Sequence, residues 1–465
     1  ALALAPHAPL FRFEIGPGHN GGDGLVAAAV LARAGRRVEI RPAFDTEGRP
    51  GLPPVVQRAL AGALEAGCRI PDPGEDLLGS PSPQALLVDA LLGIGSNRPA
   101  DGRILDGVRR LRRHAGRVLA VDLPTGLDAD TGEIRGEAVR ATHTLSFIAG
   151  KPGLFTGAGR DHAGQVWIDD LGLSDPAAAG PANILLGGLA ALAPSRRHAD
   201  HKGTRGDVIV LGGAPGMEGA AELAACAAHA AGAGRVWRAW LSGAGAASAG
   251  RPELMRMSVD EARDPSSIEH RTLVAGCGGG TTMAELLAPV LAHAGRLVLD
   301  ADGLNALAID VALQRGLKRR AARGRQTVLT PHPLEAARLL GWSVQSVQGD
   351  RLRAARTLAA SFDATVVLKG SGTVVATPDG RVTINATGGP ALATAGTGDV
   401  LAGWLGGLWA GFDDEPAQEP WYSASTAALE ACRLHGTVAE SIQAGPLRAV
   451  DLIERMWAEA SRGRA

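Results

Sequence analysis

Hydrophobic and polar positions along the chain alternate in two successive series. In the first, short apolar runs at residues 11–15, 38–40, 85–91, 118–122 and 144–148 are separated by amphipathic stretches at 25–34, 55–66 and 104–114. Strand-like runs interleaved with segments of helical period predict βαβ units, hence a mostly parallel sheet covered by helices on both faces. The run FRFEI at 11–15 departs from this: Arg12 and Glu14 alternate with apolar residues where a central parallel strand is apolar throughout, which predicts an altered or partly exposed first strand.

The pattern breaks over 176–197, where Ala, Gly and Pro crowd together, and this segment reads as a linker between a first domain at 1–175 and a second at 198–465. The second series runs through 208–211, 236–241, 272–275, 297–300, 327–329, 365–368, 373–376 and 382–384, with helical stretches at 218–232 and after Gly398. The turn sequence PDGR at 378–381 predicts a hairpin, so this sheet is expected to be mixed. The fold class is therefore α/β in both domains.

Composition narrows the function classes. At ~150 residues per domain, 465 residues suit two or three globular units. A net charge of −1 gives no long-range attraction to nucleic acid or anionic lipid, so neither is expected as a partner, and any phosphate must be held locally. The longest apolar stretches, 184–194 and 400–412, are short and glycine-broken, and the start lacks a basic n-region. Cys68, Cys226, Cys277 and Cys432 form no CxxC pair, which fits reduced thiols. These features predict a cytoplasmic protein with small-molecule partners; a homo-oligomer is the expected assembly, though none of these features determines it. Of 47 basic residues only four are lysine, and Lys151, Lys202 and Lys369 stand beside glycine or proline, where a compact ammonium differs from a guanidinium.

The segment GPGHNGGDG at 16–24 follows an apolar strand and precedes a helical run, so its amides can line a helix N-terminus and meet an anion. A glycine-rich turn of this kind also serves tight packing alone. Asn20 and Asp23 put polar side chains where a dinucleotide loop presents bare backbone. Two later runs end in acids, Asp89 and Asp122, which places carboxylates at the carboxyl edge of the sheet, where ligands bind in open α/β folds. With Asn20 they make an oxygen-rich cluster suited to a hard cation or to acid–base work.

HNGGDG, VDALLGIGS, VDLPTGLDADTG and THTLSFIAGKPGL, in this order, resemble the epimerase domain of the bifunctional NAD(P)H-hydrate repair enzymes. The resemblance implies a Rossmann-like three-layer sandwich. It implies a potassium ion held by Asn20, Asp89 and Thr125. Substrate contacts are implied for His19, Asn20, Gly21, Gly22 and Asp23, for Gly93, Ile94, Gly95, Ser96, Asn97, Arg98 and Pro99, and for Asp122, which would be the acid–base group. His19 stands where the family usually has Asn and Thr125 where it usually has Ser, and where the family usually carries several tens of residues ahead of the first strand, this sequence begins almost at that strand.

Near the end, KGSGT at 369–373 and TAGTGD at 394–399 flank the predicted hairpin, and the latter opens a long apolar helix. Consecutive amides at Gly396, Thr397 and Gly398 make an anion hole reinforced by the helix dipole. Asp399 in that turn has an ordinary capping role available, or it takes a proton from a hydroxyl attacking phosphorus. His332 between prolines reads as a loop histidine, and Lys202 either holds its loop or reaches phosphate. Trp404 and Trp409 read as packing.

Together with HKGTRGDVIVLGG, LDADGLNAL and LTPHPLEAARLLG, these motifs resemble the dehydratase branch of the ribokinase-like fold. That resemblance implies ADP-dependent removal of water from the S form of hydrated NADH or NADPH (NADHX, NADPHX), releasing AMP and phosphate, with magnesium on the nucleotide. Nucleotide would contact Lys369, Gly370, Ser371, Gly372, Thr373 and Gly396–Gly398; substrate would contact Ala220, Gly278, His332 and Asp399, the last as base. Phosphorylation suits the chemistry. Phosphate, with a pKa near ~6, leaves far more easily than hydroxide, whose conjugate acid lies near ~15.7, a difference of at most ~13 kcal/mol. A second reading remains: a ribokinase-like vitamin or sugar kinase whose first domain senses nucleotide without catalysis.

Overall fold

The computed structural model describes residues 1–46, 51–72, 81–173, 183–185, 198–243, 251–412, 421–442 and 446–462. The chain divides into two compact units, Ala1–Gly180 and Pro181–Ala465.

The first unit carries strands β1 (Phe11–Ile15), β2 (Val38–Pro42), β3 (Leu86–Ala90), β4 (Arg117–Val121), β5 (His143–Phe147) and β6 (Gln165–Asp169). They form one sheet in the order β2-β1-β3-β4-β5-β6, and every pairing is parallel. Side-chain alternation puts Leu86, Val88 and Ala90 into a core shared with the helices His19–Arg33 and Pro54–Glu65. Ala85, Leu87 and Leu91 face the helix Gly102–Arg113 on the other side. Helices on both faces follow from strands that are apolar on both faces.

The first strand corrects one expectation. β1 is neither an edge nor exposed; it lies between β2 and β3, and Glu14 is fully buried. Its two charges are tolerated because each is paired: Arg110 forks onto both Glu14 carboxylate oxygens at 3.0 and 2.7 Å, and Arg12 reaches Glu39 of β2 at 2.7 Å. Burial still pushes the Glu14 carboxyl up against the pull of Arg110.

The second unit carries β7 (Asn183–Leu185), β8 (Asp207–Gly212), β9 (Arg235–Trp240), β10 (Met255–Arg256), β11 (Thr272–Ala275), β12 (Arg296–Leu299), β13 (Thr327–Leu329), β14 (Thr365–Leu368), β15 (Val374–Ala376) and β16 (Val382–Asn385). Their order is β10-β9-β8-β11-β12-β13-β14-β15-β16-β7. The sheet is mixed as expected, with β15 antiparallel to both β14 and β16. β7 falls inside the segment read as a linker, yet it pairs parallel with β16; three apolar-flanked residues among Ala and Gly gave too short a run to register as a strand.

One helix pair fixes the height of the second site. Gly403 and Gly407 of the helix Thr397–Ala410 face the alanine-rich helix Glu218–Ala230 so closely that a Cβ on either would overlap the carbonyls of Ala224 and Ala228. Small residues on both partners let the backbones approach, while Trp404 and Trp409 fill the buried space beside them.

Candidate active sites

In an open parallel sheet the ligand crevice lies beyond the carboxyl ends of the strands, where the strand order reverses. In the first unit that point is between β1 and β3, and a cleft of about 750 Å³ opens there. Its walls include His19, Asn20 and Asp23 after β1, Gly93–Pro99 after β3, Asp122 after β4, and Phe147 at the end of β5 with Ile148 and Lys151 beyond it. The helix expected from residue 25 starts at His19, so HNGGD forms its first turns. The glycines there serve close packing: a Cβ on Gly16 would overlap the Leu91 carbonyl and one on Gly21 the Gly16 carbonyl. Polar side chains are left to face the cleft.

Asp89 is fully buried and accepts from the Thr125 hydroxyl at 2.7 Å, the Thr125 amide at 2.8 Å and the Leu91 amide at 3.2 Å. Burial nonetheless raises its pKa to about 6. Asn20 donates from Nδ2 to the Leu92 carbonyl at 3.0 Å, while the Leu92 amide donates to Thr125 Oγ1 at 3.1 Å. Leu92 thus ties Asn20 to the Asp89–Thr125 pair. Among the described residues the buried Asn20 Oδ1 has no hydrogen-bond partner. An orphaned amide oxygen beside a carboxylate and a hydroxyl is an all-oxygen donor set, which fits a hard cation.

Asp122 sits in the left-handed region at φ 68°, just past β4, and this turns its carboxylate back toward β5. Its Oδ1 accepts from the Phe147 amide at 3.2 Å and from the Lys151 ammonium, which also donates to the Phe147 carbonyl at 2.7 Å. Lys151 was not assigned to this site from the sequence; its rarity among 43 arginines was the available signal. Asp23, on the opposite wall, has its carboxyl raised by burial and by the charge of Asp122.

In the second unit the strand order reverses about β8, and the carboxyl ends of β8, β11, β12 and β14 converge on the first turn of the helix Thr397–Ala410. Gly278 after β11, at φ 58°, lies against Met217 and Ala220: a Cβ built on it would be 2.5 Å from the Met217 carbonyl and 3.0 Å from Ala220 Cβ. Lys369 after β14 reaches Asp300 after β12 at 2.6 Å, and its Nζ lies 3.4 Å from where a Cβ on Gly398 would stand. Asp300, Asp399 and Cys277 bring one ligand atom each within 4.8 Å of one another.

The N-cap of that helix is Gly396, in left-handed geometry, and no side-chain capping bond is made there. Asp399 is the third residue of this helix and not its N-cap residue. Burial, the negative charge of Asp300 and a counteracting Cys277 thiol contact bring its pKa to about 6, close to what a general base needs near neutrality. Burial works against the charge of Lys369, but Asp300 and Glu335 outweigh it and the ammonium is held above its ordinary value.

His332 caps the helix Pro333–Leu340, its Nδ1 accepting from the amides of Leu334 at 3.1 Å and Glu335 at 3.2 Å. The capping box also buries Glu335, whose pKa rises to about 7. Asn305 bridges Asp302 and Arg338. Lys202 is exposed ahead of β8, at the amino edge of the sheet and away from the carboxyl ends of the strands. Buried His435, absent from the sequence reading, places Nε2 3.0 Å from the Thr397 carbonyl.

Two family profiles match the chain: one described as NAD(P)H-hydrate dehydratase over 208–456, the other as YjeF-related protein N-terminus over 2–153. The bifunctional NAD(P)H-hydrate repair enzyme of Escherichia coli is 34% identical, over 94% of this chain and 82% of the relative. The enzyme of the same description from Leishmania braziliensis is 34% identical over 95% and 84%. Among solved structures, an ADP/ATP-dependent NAD(P)H-hydrate dehydratase from Bacillus subtilis, co-crystallized with ATP and magnesium, superposes with a TM-score of 0.50 at 27% identity, covering 61% of this chain and 100% of that one. Among the described residues no helix is long and apolar enough to cross a membrane.

Proposed function

Since the chain belongs to the family of bifunctional NAD(P)H-hydrate repair enzymes, epimerase and dehydratase in one polypeptide, we propose the following division of labour between its two sites. The kinase reading with a non-catalytic first domain is not favoured by these relatives and is set aside.

In the second unit Asp399 takes the proton from the hydroxyl of the S hydrate. The Lys369 ammonium and the amides of 370–373 and 396–398 receive the phosphates of ADP, and the phosphoryl group passes to the hydroxyl oxygen, leaving AMP. The lone pair of the adjacent ring nitrogen then expels phosphate, and loss of a ring proton restores the reduced nicotinamide. Ala220, Gly278 and His332 line the side from which the hydrated ring approaches. The trio Cys277, Asp300 and Asp399 does not fit magnesium, because a hard cation prefers oxygen ligands and Asp300 is already neutralised by Lys369. Magnesium on the nucleotide phosphates needs no such cage.

In the first unit Asp122 handles the proton of the hydroxyl-bearing carbon while the substrate lies between His19–Asp23 and Gly93–Pro99. Asn20, Asp89 and Thr125 would hold potassium, which supplies a fixed positive charge under the cleft. The observation that carries the dehydratase reading is the half-buried carboxylate of Asp399 in the first turn of the helix Thr397–Ala410, beside the Lys369–Asp300 pair. The test is to supply chemically hydrated NADH with ADP and magnesium. Reappearance of reduced-nicotinamide absorbance with stoichiometric AMP supports the reading; a stable phosphate ester contradicts it.

A further inference from the structure

Behind the turn assigned to the nucleotide lies a buried guanidinium. Arg351 opens the helix Arg351–Phe362 and is fully buried. Its Nη2 donates to the carbonyls of Leu368 at 3.1 Å, Lys369 at 3.2 Å and Gly372 at 3.5 Å, and its Nη1 donates to Gln348 Oε1 at 2.6 Å. A peptide unit is planar and trans, so the N–H that follows each carbonyl points the opposite way. The amide after Leu368 is used by the Pro331 carbonyl at 2.9 Å. Those after Lys369 and Gly372 belong to Gly370 and Thr373, and both are turned away from the guanidinium. Gly370 also makes room for it: at φ 136°, a Cβ there would stand 3.0 Å from both Nη atoms.

We propose that Arg351 is a positioning residue for nucleotide binding: by gathering three carbonyls behind the 368–372 turn, it holds the amides of Gly370 and Thr373 outward to receive a phosphate. The proposal rests on the reading of 369–373 as the nucleotide turn. It also gives Gly370 a specific task, since any side chain there pushes the guanidinium off its carbonyls.

The test uses the full chain as wild type, Arg351→Lys, Arg351→Met and Gly370→Ala, with dehydration of the S hydrate measured across ADP concentrations. Expected is a rise in the KM for ADP of about tenfold or more in Arg351→Met and Gly370→Ala, the scale of losing a hydrogen bond to a charged group. Arg351→Lys should fall between these and wild type, with kcat within about threefold in both Arg351 variants. Epimerisation by the first unit, unchanged in every variant, serves as the internal control for concentration, and denaturant unfolding of the second unit as the control for folding. A merely structural role lowers the amount of active protein and leaves that KM where it was. Should Arg351→Met not fold, Arg351→Lys and Gly370→Ala carry the test. An unaltered KM in these folded variants overturns the proposal while leaving the dehydratase reading intact, whereas a wild type indifferent to ADP overturns both.

Discussion

Lys369 Nζ lies 2.6 Å from Asp300 Oδ1, and the carboxylate is withdrawn from water with 1% of its side chain exposed. The pair joins the ends of β14 and β12 under the first turn of the helix that bears Asp399. Removing the cation leaves an uncompensated buried charge, which costs ~3–5 kcal/mol, more than the pair itself contributes. Lys369→Met is therefore expected to destabilise the second unit on that scale in denaturant unfolding, and adding Asp300→Asn should recover a substantial part. If the double variant is as unstable as the single one, the two side chains are not energetically coupled.

The orphaned Asn20 Oδ1 and the buried Asp89 predict a stability effect of potassium independent of catalysis. Asp89 has a folded pKa of about 6, above its ordinary value of 3.8. The sign follows from linkage: its contribution is fully present below 3.8 and is lost as pH rises through about 6. A bound cation offsets that loss by stabilising the ionised form. Potassium should raise the Tm of the first unit more at pH 8 than at pH 5, and Asn20→Ala should abolish the difference. Equal shifts with potassium and with a bulky organic cation would dispose of the site.

Asp122 and Lys151 are expected to act together in epimerisation alone. Asp122→Asn removes the proposed acid–base group and should slow interconversion of the R and S hydrates by about 10²–10⁴-fold, the usual yield of a positioned proton donor or acceptor. Dehydration of pure S hydrate should proceed at the wild-type rate. Chromatography of the two hydrates checks this; unchanged interconversion in the variant means that another group moves the proton.

Most of the fold was legible because both sheets are built from continuous apolar runs closed by turn residues, and β3, β4, β8 and β11 fall where the periodicity puts them. What failed did so for physical reasons. FRFEI was misread because its neutralising partners, Glu39 and Arg110, are 27 and 96 residues away in sequence. The same limit hid Arg351, whose carbonyl partners lie 17 to 21 residues on, and His435, 38 residues from its partner Thr397. Asp300 was within reach, since it ends an apolar strand just as Asp89 and Asp122 do. Cys277, read as an isolated thiol, came to lie beside the proposed base because β11 neighbours the helix that carries it.

The role of Asp399 is tested most directly by the initial rate at which reduced nicotinamide reappears from the S hydrate at saturating ADP, followed against pH in wild type and in Asp399→Asn. A base must be ionised to work, so with a pKa of about 6 the wild-type kcat/KM should fall off below that pH. Asp399→Asn should bind nucleotide with near-wild-type affinity, turn over at least ~10²-fold more slowly and lose the acidic limb. Wild-type turnover in the asparagine variant, with the acidic limb intact, would contradict the account.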